Sequence, residues 1–256
     1  MCLLALFYRV AEDAPVVVGA NREEYYSRSG EPPRLLEGPL RAVAGIDPVA
    51  GGTWLGVNER GVLIAVTNRP KSNAPALPRS RGLLARQLLA LPTVAEAVER
   101  AAQELEQNRY AGCNLLCADT ERAVVLHAGD WLRVRPLPPG LHILTNGDVN
   151  DPGDARISYA AWRLGQRKYA VAQECLDALR ELCAYTGPDG PAICYRNENR
   201  GTVSSSLLAL RGRLGPSTFL HAQGPPDRTT YEDYSHLLLA LGSGEKQATG
   251  YQVVTP

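Results

Sequence analysis

The 256 residues hold 27 Lys plus Arg against 27 Asp plus Glu, with 45% apolar and 21% charged side chains, a composition that suits a chain with a substantial buried core rather than a disordered one. A formal net charge of zero argues against nucleic acid or an anionic membrane surface as a partner, and no stretch approaches the roughly 18–20 apolar residues of a membrane helix. The apolar start, MCLLALFYRV, lacks a basic lead and runs into Arg9, Glu12 and Asp13; it does not read as a secretory signal, so a cytoplasm is the expected address and an organelle the alternative.

In chain order, LLALFYRV and VVVGA flank the turn AEDAP and predict an N-terminal hairpin. Residues 21–48 are broken by Gly, Pro and charge and read as mainly loop. GGTWLGVNERGVLIAVTN predicts two strands around NERG, with glycines that permit positive φ or close backbone approach. RGLLARQLLAL then predicts a helix ending at Pro92. A second helix follows in TVAEAVERAAQELEQN, where Thr93 and Glu96 stand at capping-box spacing. In it Val94, Ala97, Val98, Ala101 and Leu105 recur on one face. Strands return in CNLLCAD, RAVVLHA, WLRVRPL and LHILTN. A third helix is expected over 168–187, with Val171, Cys175, Leu179 and Leu182 on one face. TVSSSLLAL and STFLHA read as late strands, and a last helix lies near TYEDYSHLLLAL. Strands and helices come in blocks, which favours α+β with mainly antiparallel sheets over a doubly wound parallel sheet. One domain over 1–256 is expected.

The six cysteines, Cys2, Cys113, Cys117, Cys175, Cys183 and Cys194, include no Cys-x-x-Cys pair, and no Cys or His cluster has zinc-ligand spacing. Cys113 and Cys117 stand at even spacing, so a strand points both at one face as small buried hydrophobes. The four histidines, His127, His142, His221 and His236, are scattered. No nucleophile elbow, phosphate loop, paired-His metal motif or dinucleotide fingerprint occurs.

Cys2 offers a different chemistry. Removal of Met1 leaves residue 2 with a thiol and a free α-amine, whose ordinary pKa values are about 8.5 and about 7.7–8.0. The amine then serves as general base for the thiol without a histidine. Such a nucleophile needs a group to position the amine, donors for the oxyanion and a rigid strand. The alternative is a buried thiol in a first strand.

From GANREEYYSR onwards the sequence resembles the NRDE family, homologues of transport and Golgi organisation protein 2. The naming motif stands here as Asn21-Arg22-Glu23-Glu24, after an initial Met-Cys and a hairpin. GGTWLG, AVTN, SRGLLARQLL, GCNLL, GLHILTN and GTVSSSLLAL continue the match in order over most of the chain. Two departures stand out: Glu23 replaces the usual Asp, and Val203 stands where the family often has Arg, with Arg200 nearby. The resemblance implies an N-terminal-nucleophile-like four-layer αββα sandwich, similar to the cysteine amidases that cleave bile-salt conjugates and penicillin V. It implies Cys2 as nucleophile and base, Asn21, Arg22 and Glu24 as positioning groups, and Asn68 and Asn146 as oxyanion donors. Trp54, Glu23 and Arg200 fall on the substrate side.

Each piece has a plainer reading as well. Arg22, Glu23 and Glu24 can form a surface ion-pair turn; GGTWLG can serve packing; Asn68 and Asn146 can cap turns; Ser204, Ser205 and Ser206 can be polar strand positions. The leading expectation is a hydrolase of a small-molecule amide that requires no cofactor. A carrier of non-covalent haem or acyl lipid on the same fold is the alternative, since the family is connected with haem trafficking and acyl lipids. A trafficking scaffold comes third. The sequence leaves the oligomeric state open.

Overall fold

β1 (Leu3–Tyr8) is buried along its whole length, which is why it reads as an unbroken apolar run rather than an alternating one. Leu4, Leu6 and Tyr8 point into one apolar core, while Leu3, Ala5 and Phe7 point into a second. The computed structural model describes residues 2–243; Met1 and residues 244–256 lie outside the described residues.

Two antiparallel sheets build the molecule. The six-stranded sheet runs β10-β1-β2-β11-β12-β13, from β1, β2 (Val16–Tyr25), β10 (Gly140–Leu144), β11 (Arg200–Leu210), β12 (Thr218–Ala222) and β13 (Glu232–Asp233). The seven-stranded sheet runs β3-β4-β5-β6-β7-β8-β9 in simple chain order. Its strands are β3 (Glu31–Leu36), β4 (Ala42–Ile46), β5 (Leu55–Asn58), β6 (Leu63–Asn68), β7 (Cys113–Ala118), β8 (Ala123–Ala128) and β9 (Leu132–Pro136). Their inner faces close on one core that includes Leu6, Val18, Val57, Leu63, Leu116 and Leu208. On the outside of the first sheet, α3 (Ala155–Leu164) and α4 (Ala172–Cys183) cover Phe7, Val17 and Leu207. On the outside of the second, α1 (Arg81–Leu88) and α2 (Val94–Glu106) cover Ile64, Leu115 and Leu126. The order is therefore helix, sheet, sheet, helix: the expected four-layer α+β sandwich. α5 (Ser235–Ser243) packs by Leu238 and Leu241 at one end of the inter-sheet core.

The hairpin, the β5–β6 pair, β7 to β10 and the late strands fall where the sequence places them. Thr93 caps α2: its Oγ1 accepts the Glu96 amide at 3.2 Å and donates to Glu96 Oε1 at 3.0 Å. Gly61 closes the NERG turn at φ +80, and Gly52 lies so close to α1 that a Cβ there would meet the Gly82 carbonyl carbon at 2.3 Å. Cys113 and Cys117 are buried on one face of β7 beneath α2.

Three expectations need correction. Residues 21–48 are mainly strand, not loop: β2 runs on to Tyr25, and β3 and β4 follow. Pro32 and Pro33 are tolerated because β3 is an edge strand with a register shift between Glu31 and Arg34. Gly45 in β4 makes room for the Trp54 indole, since a Cβ there would sit 2.6 Å from Trp54 Cζ2. Second, a helix missed in the sequence, α3, opens at Asp154, whose carboxylate accepts the Arg156 and Ile157 amides at 2.8 and 3.2 Å. Third, the helix expected over 168–187 spans only Ala172–Cys183; Val171 is its exposed N-cap residue, not part of the buried face.

Candidate active site

The geometry follows from strand register. β1 pairs with β2 as Leu3↔Asn21 and with β10 as Leu4↔Leu144. Continuing both ladders past the head of β1 sets Cys2 opposite Arg22 on one side and Asn146 on the other. Residues opposite one another share a face, so all three belong to the inter-sheet face that Leu4 and Leu144 occupy.

The same alternation splits the Asn21-Arg22-Glu23-Glu24 motif between two faces. Arg22 and Glu24 lie on the cleft side. Asn21 turns toward α4 and donates from Nδ2 to the carbonyls of Cys183 and Ile193 at 2.9 and 3.1 Å. Glu23 turns toward α3, where its buried carboxylate pairs with the Arg156 guanidinium. Arg22 and Glu23 are both buried, so the motif is not a surface ion-pair turn.

Cys2 is half-buried, whereas the other five thiols are fully buried. It opens into a cleft of about 310 Å³ whose lining includes Arg22, Trp54, Asn68 and the start of α1. Burial pushes the Cys2 thiol up; a hydrogen bond from the Glu23 backbone and the Arg22 charge work against that rise, while the Glu23 carboxylate adds to it. The Arg22 guanidinium is held by its edge and by its face. Its Nη1 donates to the carbonyls of Arg28 and Ser29 at 2.9 and 2.6 Å, and the guanidinium lies 4.5 Å from the Trp54 ring centre, a stacked arrangement. Glu24 Oε2 stands 3.7 Å from Arg28 and 4.0 Å from Arg22. GGTWLG thus serves both packing and the cleft wall.

Asn68, at the end of β6, lines the cleft. Asn146 is not among the lining residues; it follows β10 on the Cys2 register, with its Oδ1 buried and without a hydrogen-bond partner. Arg200 lies outside the cleft: it starts β11 opposite Tyr25 and packs over that ring at 5.7 Å. Val203 is buried at the register shift between Thr202 and Ser204. Ser204, Ser205 and Ser206 are buried strand positions; Ser206 meets His221 at 2.9 Å and Ser205 accepts the Tyr231 hydroxyl at 2.7 Å.

Sequence reading missed Arg28, Asp47, Arg79 and Arg81, which also line the cleft. Asp47 is held by Arg28 at 2.5 Å; burial raises its carboxyl, but that pairing outweighs burial and keeps it below the usual range. Arg79 pairs with Glu104 at 3.5 Å, and Arg81 donates to the Gly112 carbonyl at 2.9 Å. One signal was readable: Ser80 before RGLLARQLL marks an N-cap, and its Oγ accepts the Leu83 amide at 3.2 Å. A larger recess of about 440 Å³ beside Asp119 and Leu210–Pro216 holds neither cysteine nor histidine.

Among the described residues no group of three or more His, Cys, Asp or Glu is placed to hold a metal ion, and no helix is long and apolar enough to cross a membrane. The residues do not fit haem well. Seven charged residues stand in the lining of the cleft, and among the described residues Cys2 is its one soft donor. His127, His142 and His221 are each buried against protein partners elsewhere.

A sandwich of two antiparallel sheets between helical layers is the N-terminal-nucleophile-like fold, and Cys2 stands at the head of its first strand. Solved structures of that fold superpose on the chain. A conjugated bile acid hydrolase variant from Clostridium perfringens does so with a TM-score of 0.58 at 15% identity, over 91% of this chain and 92% of that one. The Caenorhabditis elegans N-acylethanolamine-hydrolyzing acid amidase ortholog gives 0.55 at 16% identity, over 81% and 92%. At such identities the likeness is one of fold. The sequence profile of Transport and Golgi organisation 2 matches residues 1–183, and the chain belongs to that family. The human transport and Golgi organization protein 2 homolog is 30% identical over 145 residues, 54% of this chain and 52% of that protein; the chain spans about half the length of the curated relatives it matches.

Proposed function

We propose that the chain is an N-terminal-cysteine amidohydrolase acting on a small amide that carries an anionic group. The observation that carries this reading is the position of Cys2, the one half-exposed thiol, at a cleft where the Glu23 backbone and the Arg22 charge offset part of the rise that burial imposes on it. The amidases of the same fold support it.

With Met1 removed, the α-amine takes the thiol proton. Cys2 Sγ attacks the amide carbonyl carbon, and the carbonyl electron pair moves to oxygen. Asn146, with Asn68, donates to that oxyanion. Collapse expels the amine, which leaves with the proton held by the α-ammonium. Water then hydrolyses the thioester and regenerates the thiol. Arg22, Arg28, Arg79 and Arg81 outnumber by one the carboxylates Glu23, Glu24 and Asp47 that line the cleft with them, which favours an anionic substituent on the substrate.

The test is hydrolysis of a panel of N-acyl amides, neutral and carboxylate-bearing, by protein confirmed by mass to lack Met1. Turnover by wild type and its loss in Cys2→Ala is the expected result. Absence of turnover across the panel, or an undiminished Cys2→Ala variant, refutes it. Saturable binding of haem or an acyl lipid without turnover would instead support a carrier.

A further inference from the structure

Asn146 is held from the opposite sheet. Asn114, in β7 of the seven-stranded sheet, is fully buried. Its Nδ2 faces the Thr145 carbonyl at 3.2 Å, the Gly147 carbonyl at 3.1 Å and Thr67 Oγ1 at 3.2 Å. Thr67 Oγ1 itself donates to the Thr145 carbonyl at 2.7 Å. The backbone carbonyls on either side of Asn146 are therefore both fixed by one side chain.

The amide orientation of Asn114 is set from its other end. Its Oδ1 lies 2.8 Å from His127 Nδ1 and accepts Arg69 Nη1 at 3.2 Å. A flipped amide would turn N–H groups on the Arg69 guanidinium and aim its oxygen at two carbonyls, so the orientation with Nδ2 toward the Thr145 and Gly147 carbonyls is the one the surroundings select. Arg69 Nη2 also binds Asp148 Oδ1 at 2.6 Å, and Arg133 Nη2 binds the same oxygen at 2.6 Å. The segment 145–148 is thus tied at three residues, Thr145, Gly147 and Asp148, on both sides of Asn146. Thr67, Arg69, Asn114, His127 and Arg133 all come from the seven-stranded sheet or its margins, whereas Cys2 and Asn146 come from the six-stranded one.

We propose that Asn114 is the positioning residue of the oxyanion site: it clamps the segment after β10 across the sandwich and so holds Asn146 on the register of Cys2. The proposal rests on the amidohydrolase reading, in which Asn146 donates to the oxyanion.

Two reactions of the same thiol test it on the full chain lacking Met1. Acylation of Cys2 by p-nitrophenyl acetate passes through an oxyanion; alkylation by iodoacetamide displaces iodide and forms none. Asn114→Asp keeps the shape but replaces the N–H donors with an oxygen facing two carbonyls. The acylation-to-alkylation rate ratio is expected to fall about 100-fold, the scale of a lost oxyanion donor. Relative to wild type at each pH, the deficit should narrow as acid protonates the new carboxyl and returns one donor. Thr67→Val, which removes half of the clamp without burying a charge, should lower the ratio about tenfold and serves if Asn114→Asp does not fold. An unchanged ratio in a folded variant overturns the proposal, as does a parallel loss of both reactions, which marks a merely structural residue. Wild type that alkylates but does not acylate at Cys2 overturns the amidohydrolase reading as well. Wild type that acylates, with the ratio lost in Asn146→Ala but kept in Asn114→Asp, overturns the positioning role alone.

Discussion

Cys2 differs from its five companions by access and not by a lower thiol pKa, since burial pushes its thiol up as well. Burial pushes Cys113 and Cys194 up to about 11 and Cys117, Cys175 and Cys183 up to about 12, values at which the reactive thiolate is scarce near neutrality. A brief iodoacetamide pulse at pH 8 should therefore give one adduct, mapped to Cys2 by peptide mass; labelling spread over several thiols would contradict this structure. Negatively charged iodoacetate should gain on iodoacetamide at Cys2, relative to free cysteine, by several-fold at low salt. Arg79→Gln with Arg81→Gln should erase that gain, and added salt should blunt it. Glu23 predicts a different effect. Its pairing with Arg156 is almost wholly enclosed, so Glu23→Gln strands a guanidinium and should cost about 3–5 kcal/mol in urea unfolding. Cys2, Arg22 and Trp54 were legible because the Met-Cys start, the Asn21–Glu24 motif and the GGTWLG block name them. Arg28, Asp47, Arg79 and Arg81 were not: they sit on segments tens of residues apart, and only the packing of α1 on the second sheet brings them to one wall.

The elements show where local rules failed and why. Pro32, Pro33 and Gly45 were read as chain breakers, yet an edge strand with a register shift can do without amides at the shift and on its outward side, and an indole can claim the space of a missing Cβ. Propensity is blind to both circumstances, since each depends on a neighbour supplied by tertiary structure. α3 failed for another reason: ten residues following NGDVNDPGD look like a continued loop, although Asp154 with Ile157, Ala160 and Leu164 carried the cap and the spacing. Close contact between elements also makes a testable claim. With Cβ positions 2.3 Å from the Gly82 carbonyl carbon and 2.6 Å from the Leu83 amide nitrogen, Gly52→Ala must move α1 off the sheet. Overpacking of this kind costs about 1–3 kcal/mol; a lower Tm together with slower Cys2 alkylation is expected, because α1 forms part of the cleft. An unaltered Tm would mean that the helix is not seated as described.

At the scale of the whole molecule, acid should loosen the sandwich in two stages. Burial drives the His127 imidazole down to about 4, against about 6.5 when unfolded. Between those values the unfolded chain takes up a proton that the folded one refuses, so stability falls as pH drops from about 6.5 to about 4 and is indifferent to this group below that. Asp47 and Asp148, held below the usual carboxylate range against burial by Arg28 and Arg69, stabilise the fold above their unfolded values and lose that contribution only at lower pH. Tm recorded from pH 7 to 3 should show the first slope in wild type and a weaker one in His127→Gln. Sheet architecture has a further consequence at the margin that β3 forms. Two adjacent residues there, Pro32 and Pro33, have no amide hydrogen to offer, so a strand from another molecule approaching this flank finds the ladder interrupted at the point where it would dock. The chain carries its own stop against end-to-end growth into fibrils, and replacing both prolines with threonine should be read not in catalysis but in turbidity during refolding from urea.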